Sequence, residues 1–308
     1  MIKNLSADLN CDLQRESDRR AALAGWLSSV DNSFTWRSVV NRVWQYHFGS
    51  GIVDTPNDLG KMGGLPSHPE LLDWLAVQFR DQGQSLKSLH RLIVTSQVYR
   101  QSCDGPTDQA ILQRCTNNDA ENRLLWRANR RKLDAESIRD SILAISGKLD
   151  LKMGGPGFEE FVLEKPEHSP HYRYDLLDFE NPATHRRTVY RFTVRSQLQP
   201  FLNTLDCADP SIQVATRNQV QSPLQALTLL NNGLVTVHSR YFANKLKASS
   251  TSSEPAILES IVKRAFEEVT GRVPRREELE SMTEYAQQHG LENLCRLLFN
   301  LSEFTFVE

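Results

Sequence analysis

Apolar residues recur along most of this chain at the spacing of an α-helix, and only one short run alternates as a strand does. From Phe34 to Phe48, Trp36, Val40, Val43, Trp44 and His47 follow an i, i+4, i+7, i+8, i+11 rule, with Arg37, Asn41 and Gln45 opposite and Gly49 as the stop. That spacing predicts one amphipathic helix with an aromatic face. Ile52 to Pro66 carries "TPNDLGKMGGLP" and reads as a long irregular loop. Ser67-His68-Pro69-Glu70 then has the form of a capping box with proline in the first turn, and Leu71, Leu72, Leu75 and Phe79 supply the stripe behind it. Gly83 closes that helix. Ser85 opens the next, whose inner face is Leu86, Leu89, His90 and Ile93.

Ser102 to Glu121 is polar, with Gly105-Pro106 and Asn117-Asn118, and predicts a mobile surface excursion. Helical signal resumes over Asn122 to Ala128 and over Asp134 to Leu149, where Ile138, Ile142, Ile145 and Leu149 align behind Asp134 as N-cap. Lys152 to Arg187 breaks the helical period and reads as loop with short strands. Tyr190, Phe192 and Val194 then alternate with Arg191, Thr193 and Arg195, a period of two that predicts a strand, with Tyr172 to Leu176 as antiparallel partner. Ser222-Pro223-Leu224-Gln225 repeats the capping-box form, and Asn231-Asn232-Gly233 interrupts the helix it opens. After a Ser/Thr-rich linker, Ala248 to Ser253, three stripes follow: Ile257, Ile261, Ala265, Phe266 and Val269; Leu279, Met282, Ala286 and His289; Leu291, Leu294, Leu298 and Leu301. The pattern predicts a mainly α, multi-helix architecture with a small β-hairpin insertion near 158–195 and a C-terminal three-helix subdomain. The expected organisation is an N-terminal extension and first helix over 1–33, a helical core over 34–247 and the subdomain over 254–308. No repeat of fixed period is visible.

Composition narrows the function classes. With 308 residues, 39% apolar side chains and a formal charge of −2, the chain is long enough for one large or two modest cores and lacks the basic excess that phosphate-backbone binding leaves. Nucleic acid is therefore not an expected partner. No stretch of about 20 apolar residues offers a transmembrane segment, and Met1 to Arg20 is polar and charged where a signal peptide needs an apolar run. As written, the chain is expected to be cytoplasmic. The five cysteines, Cys11, Cys103, Cys115, Cys207 and Cys295, contain no C-x-x-C, which removes zinc-ribbon, thioredoxin-type and c-type haem attachment readings.

The glycine run Gly154-Gly155-Pro156-Gly157 leads into Phe158-Glu159-Glu160 rather than Gly-Lys-Ser/Thr and a helix, so it is not a phosphate-binding loop. Glu164, His168, His171 and Asp175 form the densest set of metal-compatible side chains. Two imidazoles and carboxylates can hold zinc or iron and leave a position for water. Pro166 and Pro170 preclude the helical spacing of a His-Glu-x-x-His protease, and a loop with solvated histidines is the competing reading. His47 and His90 on apolar faces read as hydrogen-bonded core residues, His68 and His185 as exposed. No Gly-x-Ser-x-Gly elbow is present. Arg187, Arg191 and Arg195 are candidates for binding an acidic ligand, against the plainer reading of a solvated charged face.

Several ordered segments together resemble a known family: "NRVWQYHFGSGIVDTPNDLG" (Asn41 to Gly60), "SHPELLDWLA" (Ser67 to Ala76), "LHRLIVTSQVYRQS" (Leu89 to Ser102), "NRLLWR" (Asn122 to Arg127), "SPLQALTLLNN" (Ser222 to Asn232) and "TGRVP" (Thr270 to Pro274). The chain resembles the planctomycete-specific domain-of-unknown-function family found C-terminal to cytochrome-c-like modules in large exported proteins. Lys132-Leu133-Asp134 and Cys207 depart slightly from the family pattern. The resemblance implies no catalytic residue and no cofactor of the chain's own. It implies a non-catalytic accessory or interaction domain of a cytochrome-linked cell-envelope assembly, with a cytochrome-c-like module or another envelope protein as partner. A periplasmic or envelope location follows if the chain is part of a longer exported protein. The alternative is a metal-dependent hydrolase acting on an extracellular polymer such as a polysaccharide. A carbohydrate-binding module would instead need Tyr172, Tyr174 and Trp36 on one flat exposed face.

Overall fold

The computed structural model describes residues 14–164, 170–249 and 255–307, with side chains from residue 258 onward in the last segment. Cys11, His168, most of the Ala248 to Ser253 linker and the side chain of Ile257 lie outside the described residues. Helix makes up about 53% of the structure, so the chain is mainly α. It divides into two compact units, one ending at Arg131 and one running from Lys132 to Val307.

The first unit contains α1 (Glu16–Leu27), α2 (Ser33–Phe48), α3 (Pro69–Asp81), α4 (Leu86–Val94) and α5 (Gln109–Asn118). Its core is built from Trp36, Val40, Val43, Trp44 and Phe48 of α2 against Leu72, Leu75 and Phe79 of α3 and Leu89 and Ile93 of α4. Each such side chain contributes roughly 1.5–3 kcal/mol by leaving water, which outweighs the modest helix propensity of the aromatic and β-branched residues in α2. Asn32 caps α2 by accepting from the Phe34 and Thr35 N–H groups, and Ser85 caps α4 from Ser88 N–H. The expected box at Ser67 does not form. His68 is the N-cap of α3, and Ser67 instead donates its N–H to Ile52 O at 2.9 Å and bonds His68 Nδ1 through its hydroxyl.

One further expectation gains detail in this unit and another is corrected. The polar run from Ser102 to Glu121 contains α5, started by Asp108, whose carboxylate accepts from Ala110 and Ile111 N–H, and α5 buries none of its residues. Asn122 to Ala128 is not a helix. Asn122 and Leu125 lie at φ 53° and 56°, and the buried Asn122 amide holds a turn by donating to Arg127 O and Asn129 Oδ1, both at 2.8 Å.

The second unit contains α6 (Ala135–Ile145), α7 (Pro200–Thr204), α8 (Pro223–Asn231), α9 (Gly233–Ala248), α10 (Pro255–Thr270), α11 (Arg276–His289), α12 (Leu291–Leu298) and α13 (Ser302–Thr305). Asp134 caps α6, and Ser222 and Gln225 close the reciprocal box that starts α8. The three helices α10, α11 and α12 share one core with α6, α7, α8 and α9, centred on Ile138, Ile142, Phe242, Val262, Leu294 and Phe299. Leu133 N–H donates to Thr305 O at 2.8 Å, tying the entry to α6 to the end of the unit. The β-hairpin is present but shifted: Val162–Glu164 pairs antiparallel with His171–Arg173, in the register Val162 to Arg173, Leu163 to Tyr172 and Glu164 to His171. The alternating run at Tyr190 to Arg195 is not a strand. Thr188–Tyr190 is a 3₁₀ turn, and the backbone beyond it makes a single bridge, with Phe158 N–H donating to Tyr190 O and Phe192 N–H to Phe158 O. Val194 packs with Phe161 and Tyr174 in a small satellite cluster.

Candidate functional site

The hairpin carries two of the four candidate metal ligands, Glu164 and His171; Asp175 lies in the 3₁₀ turn that follows, and His168 lies outside the described residues. Cross-strand pairing sets Glu164 opposite His171. Arg173, next on the same strand, claims both carboxylates: its NH1 donates to Glu164 Oε1 at 3.0 Å, and its Nε and NH2 donate in parallel to Asp175 at 2.9 and 2.7 Å. The Arg173 hydrogen bond holds the Asp175 carboxyl below its ordinary value. The structure thus brings Glu164 and Asp175 to one guanidinium, and among the described residues no group of three or more His, Cys, Asp or Glu side chains is placed to hold a metal ion.

The three candidate arginines do not make one patch. Arg187 and Arg195 are exposed, whereas the side chain of Arg191 is 10% exposed and turns inward to Glu160. The neighbouring Arg186 organises the glycine run: it donates to Pro156 O at 2.7 Å, Gly154 O at 2.6 Å and Lys152 O at 3.2 Å, and stacks over Tyr190. These glycine-rich carbonyls face a cation. A phosphate cradle needs the opposite polarity, with N–H groups converging on the ligand.

Beneath these segments α6 presents Glu136, Arg139 and Asp140, an i, i+3, i+4 set on one face. Arg139 and Glu160 are 1% and 2% exposed, and Arg139 Nε donates to Glu160 Oε1 at 2.8 Å. The same guanidinium donates to Arg186 O at 3.0 Å, to Thr188 Oγ1 at 3.2 Å and to Thr184 O. Asp140 accepts from Thr188 N–H at 2.8 Å and from its hydroxyl at 2.6 Å. At the start of the helix Arg217 grips both oxygens of Glu136, and Cys207 Sγ lies 3.5 Å from Glu136 Oε1. Burial alone would raise the Glu136 carboxyl, but the Arg217 bonds outweigh it and hold the group below its ordinary value. Burial and the Glu136 charge push the Cys207 thiol up to about 11, so it is not a thiolate nucleophile at neutral pH. Lys132, 3% exposed at its side chain, spends its three N–H donors on Asp206 Oδ2 at 2.8 Å, Gln225 Oε1 at 2.9 Å and Val220 O at 3.1 Å.

A cavity of about 180 Å³ opens beside this cluster, walled by Glu136, Arg191, Gln199, Leu202, Asn203 and Cys207 among others. Of these, only Arg191 was a candidate from the sequence. Glu136, Arg139 and Glu160 were legible only as charges interrupting apolar stretches, and their pairing spans chain separations that periodicity does not report.

The histidines also depart from expectation. His185, expected exposed, is 4% exposed, and its Nε2–H donates to Phe179 O at 3.0 Å. His47 and His90 bond each other, Nε2 to Nδ1 at 2.7 Å, with His47 half-buried but His90 exposed rather than in the core. Burial, then the His90 and Arg131 charges, lower the His47 value.

In the first unit, α3 and α4 enclose a groove of about 380 Å³ with Phe79 and Leu89 at its floor. Trp74 and Leu92 line it while remaining 48% and 40% exposed.

Fold and site together define a mainly helical protein with two compact units, a buried network of arginine–carboxylate pairs in one and, in the other, a groove with an apolar floor and a mixed polar wall that includes Gln78, Ser88 and Arg91. The chain belongs to the PSD1 family, described as protein of unknown function (DUF1553), whose model matches residues 19–286. No curated protein and no solved structure matches the chain.

Proposed function

We propose that this chain is a non-catalytic interaction domain of a cytochrome-linked assembly in the planctomycete cell envelope, and that α3 and α4 form its partner-binding face. The observation that carries the reading is the groove: a tryptophan and a leucine stand half in water over an apolar floor, the arrangement of an interface anchor without its partner. The family resemblance supplies the partner, a protein bearing a cytochrome-c-like module. Arg173 satisfies the carboxylates of Glu164 and Asp175, which favours this reading over a metal-dependent hydrolase built on Glu164, His168, His171 and Asp175.

Calorimetric titration of the full chain against the cytochrome-bearing protein tests it. The wild type should bind. Trp74→Ala with Leu92→Ala, both at exposed positions, should weaken binding by about 2 kcal/mol, roughly thirtyfold. No binding by the wild type, or equal binding by the variant, overturns the assignment.

A further inference from the structure

The cavity beside α6 and α7 belongs to the second unit and plays no part in the reading above. Two charged side chains line it, Glu136 and Arg191, and Glu136 is held through both oxygens by Arg217. Arg191 is different. Its side chain is nine-tenths buried, it lines the cavity, and its Nε has no hydrogen-bond partner. Glu160 Oε2 stands 3.9 Å away, beyond hydrogen bonding, and is itself without such a partner. That Nε is closed off and faces Glu160, so it is the rest of the Arg191 side chain that lines the cavity, and a planar acceptor of negative charge is the partner a guanidinium suits.

Apart from Glu136, whose charge Arg217 meets, the polar lining offers hydrogen-bond donors. Gln199 is buried and its Oε1 already accepts from Leu202 N–H at 2.7 Å, which leaves the amide NH₂ as its free function. Thr193 and Asn203 add a hydroxyl and a second amide at the exposed side of the same cavity. One cation, several donors and the Arg217-bound Glu136 carboxylate therefore meet in a space of about 180 Å³. At about 30 Å³ per water, that is room for roughly six waters. We propose that this cavity is a binding site for small dicarboxylates, with Arg191 taking one carboxylate and the Thr193, Gln199 and Asn203 donors serving the other.

The test is calorimetric titration of the full chain with malonate, with uncharged malonamide and inorganic phosphate as comparison ligands. Malonate should bind saturably at one site, and both comparison ligands more weakly. Arg191→Gln should weaken malonate about tenfold or more, the loss of one charge-assisted pair. Because Arg191 also neighbours Glu160 and that variant can misfold, Asn203→Asp provides a second arm: it sets a like charge at the exposed edge and should weaken malonate while leaving the thermal melt unchanged. Absence of saturable malonate binding overturns the proposal. So does wild-type affinity in both folded variants, or in Asn203→Asp alone where Arg191→Gln fails to fold. Phosphate or malonamide binding as tightly as malonate overturns it as well, since charge or polarity alone would then explain the uptake.

Discussion

Replacing Arg139 by methionine removes a charge from the interior while keeping most of the side chain's volume, so the cost isolates electrostatics and hydrogen bonding from cavity formation. In the native protein this guanidinium, 1% exposed, donates to Glu160 Oε1, Arg186 O, Thr188 Oγ1 and Thr184 O. The substitution strands the Glu160 carboxylate, 2% exposed, with Arg191 Nε at 3.9 Å as its remaining cationic neighbour. Breaking a buried pair by deleting one partner costs about 3–5 kcal/mol, because the survivor has lost water without regaining a donor. For a unit of this size that corresponds to a fall in Tm of about 6–20 °C.

Far-UV circular dichroism during urea and thermal unfolding is the assay. All five tryptophans, Trp26, Trp36, Trp44, Trp74 and Trp126, precede the second unit, so tryptophan fluorescence follows the first unit and is the wrong probe for this change. Arg139→Met combined with Glu160→Gln removes the stranded charge and should recover about 1–3 kcal/mol relative to the sum of the single changes. If Arg139→Met costs less than about 1 kcal/mol, or if the two substitutions simply add, the pair is not coupled as the geometry requires.

Two other outcomes follow from the structure. His238 is buried, and burial first, then the His185, Arg139 and Lys148 charges, push its imidazole down to about 3, whereas an unfolded histidine takes up its proton near pH 6.5. Between those values the unfolded state binds the extra proton, so this group's contribution to stability is complete above pH 6.5 and is lost as pH falls toward 3. Urea midpoints recorded from pH 7 to pH 4 should drop more steeply for the wild type than for His238→Gln, and parallel slopes would refute the assignment. Elemental analysis after incubation with zinc, iron and calcium should give a metal-to-protein ratio near zero, because Arg173 occupies the Glu164 and Asp175 carboxylates; a ratio near one that falls in the His168→Ala, His171→Ala variant would restore the metal-site reading.

What could be read from the chain was what neighbouring residues decide among themselves. The stripe from Trp36 to Phe48 and the reciprocal box at Ser222 depend on positions within a turn or two of each other, and both are found in the structure. Ser67 fails where Ser222 succeeds although each is followed by Glu or Gln at the third position, with Pro two residues after Ser67 and directly after Ser222. Ser67 is drawn instead to Ile52 O, fifteen residues back, and His68 takes its place before the helix. The same reason undoes the strand at Tyr190 to Arg195. Alternation supplies two faces, but a strand also needs a neighbouring backbone in register, and here only Phe158 provides one.

The polar cluster was hidden for a stronger physical reason. A helix such as α6, with Ile138, Ile142 and Leu143 buried, is expected to turn its charges to water, since an isolated ion gains nothing by leaving it. Arg139 is buried because Glu160, Thr184, Arg186 and Thr188, from 21 to 49 positions further on, arrive to replace that water. None of those separations leaves a periodic trace. The candidate arginines show the consequence: Arg187, Arg191 and Arg195 share one spacing, yet the positions of Glu160 and the cavity wall single out Arg191 as the buried one. Chemistry in this chain is therefore assigned by long-range partners, and a charged residue's role follows from which opposite charge reaches it and which leaves it unmet.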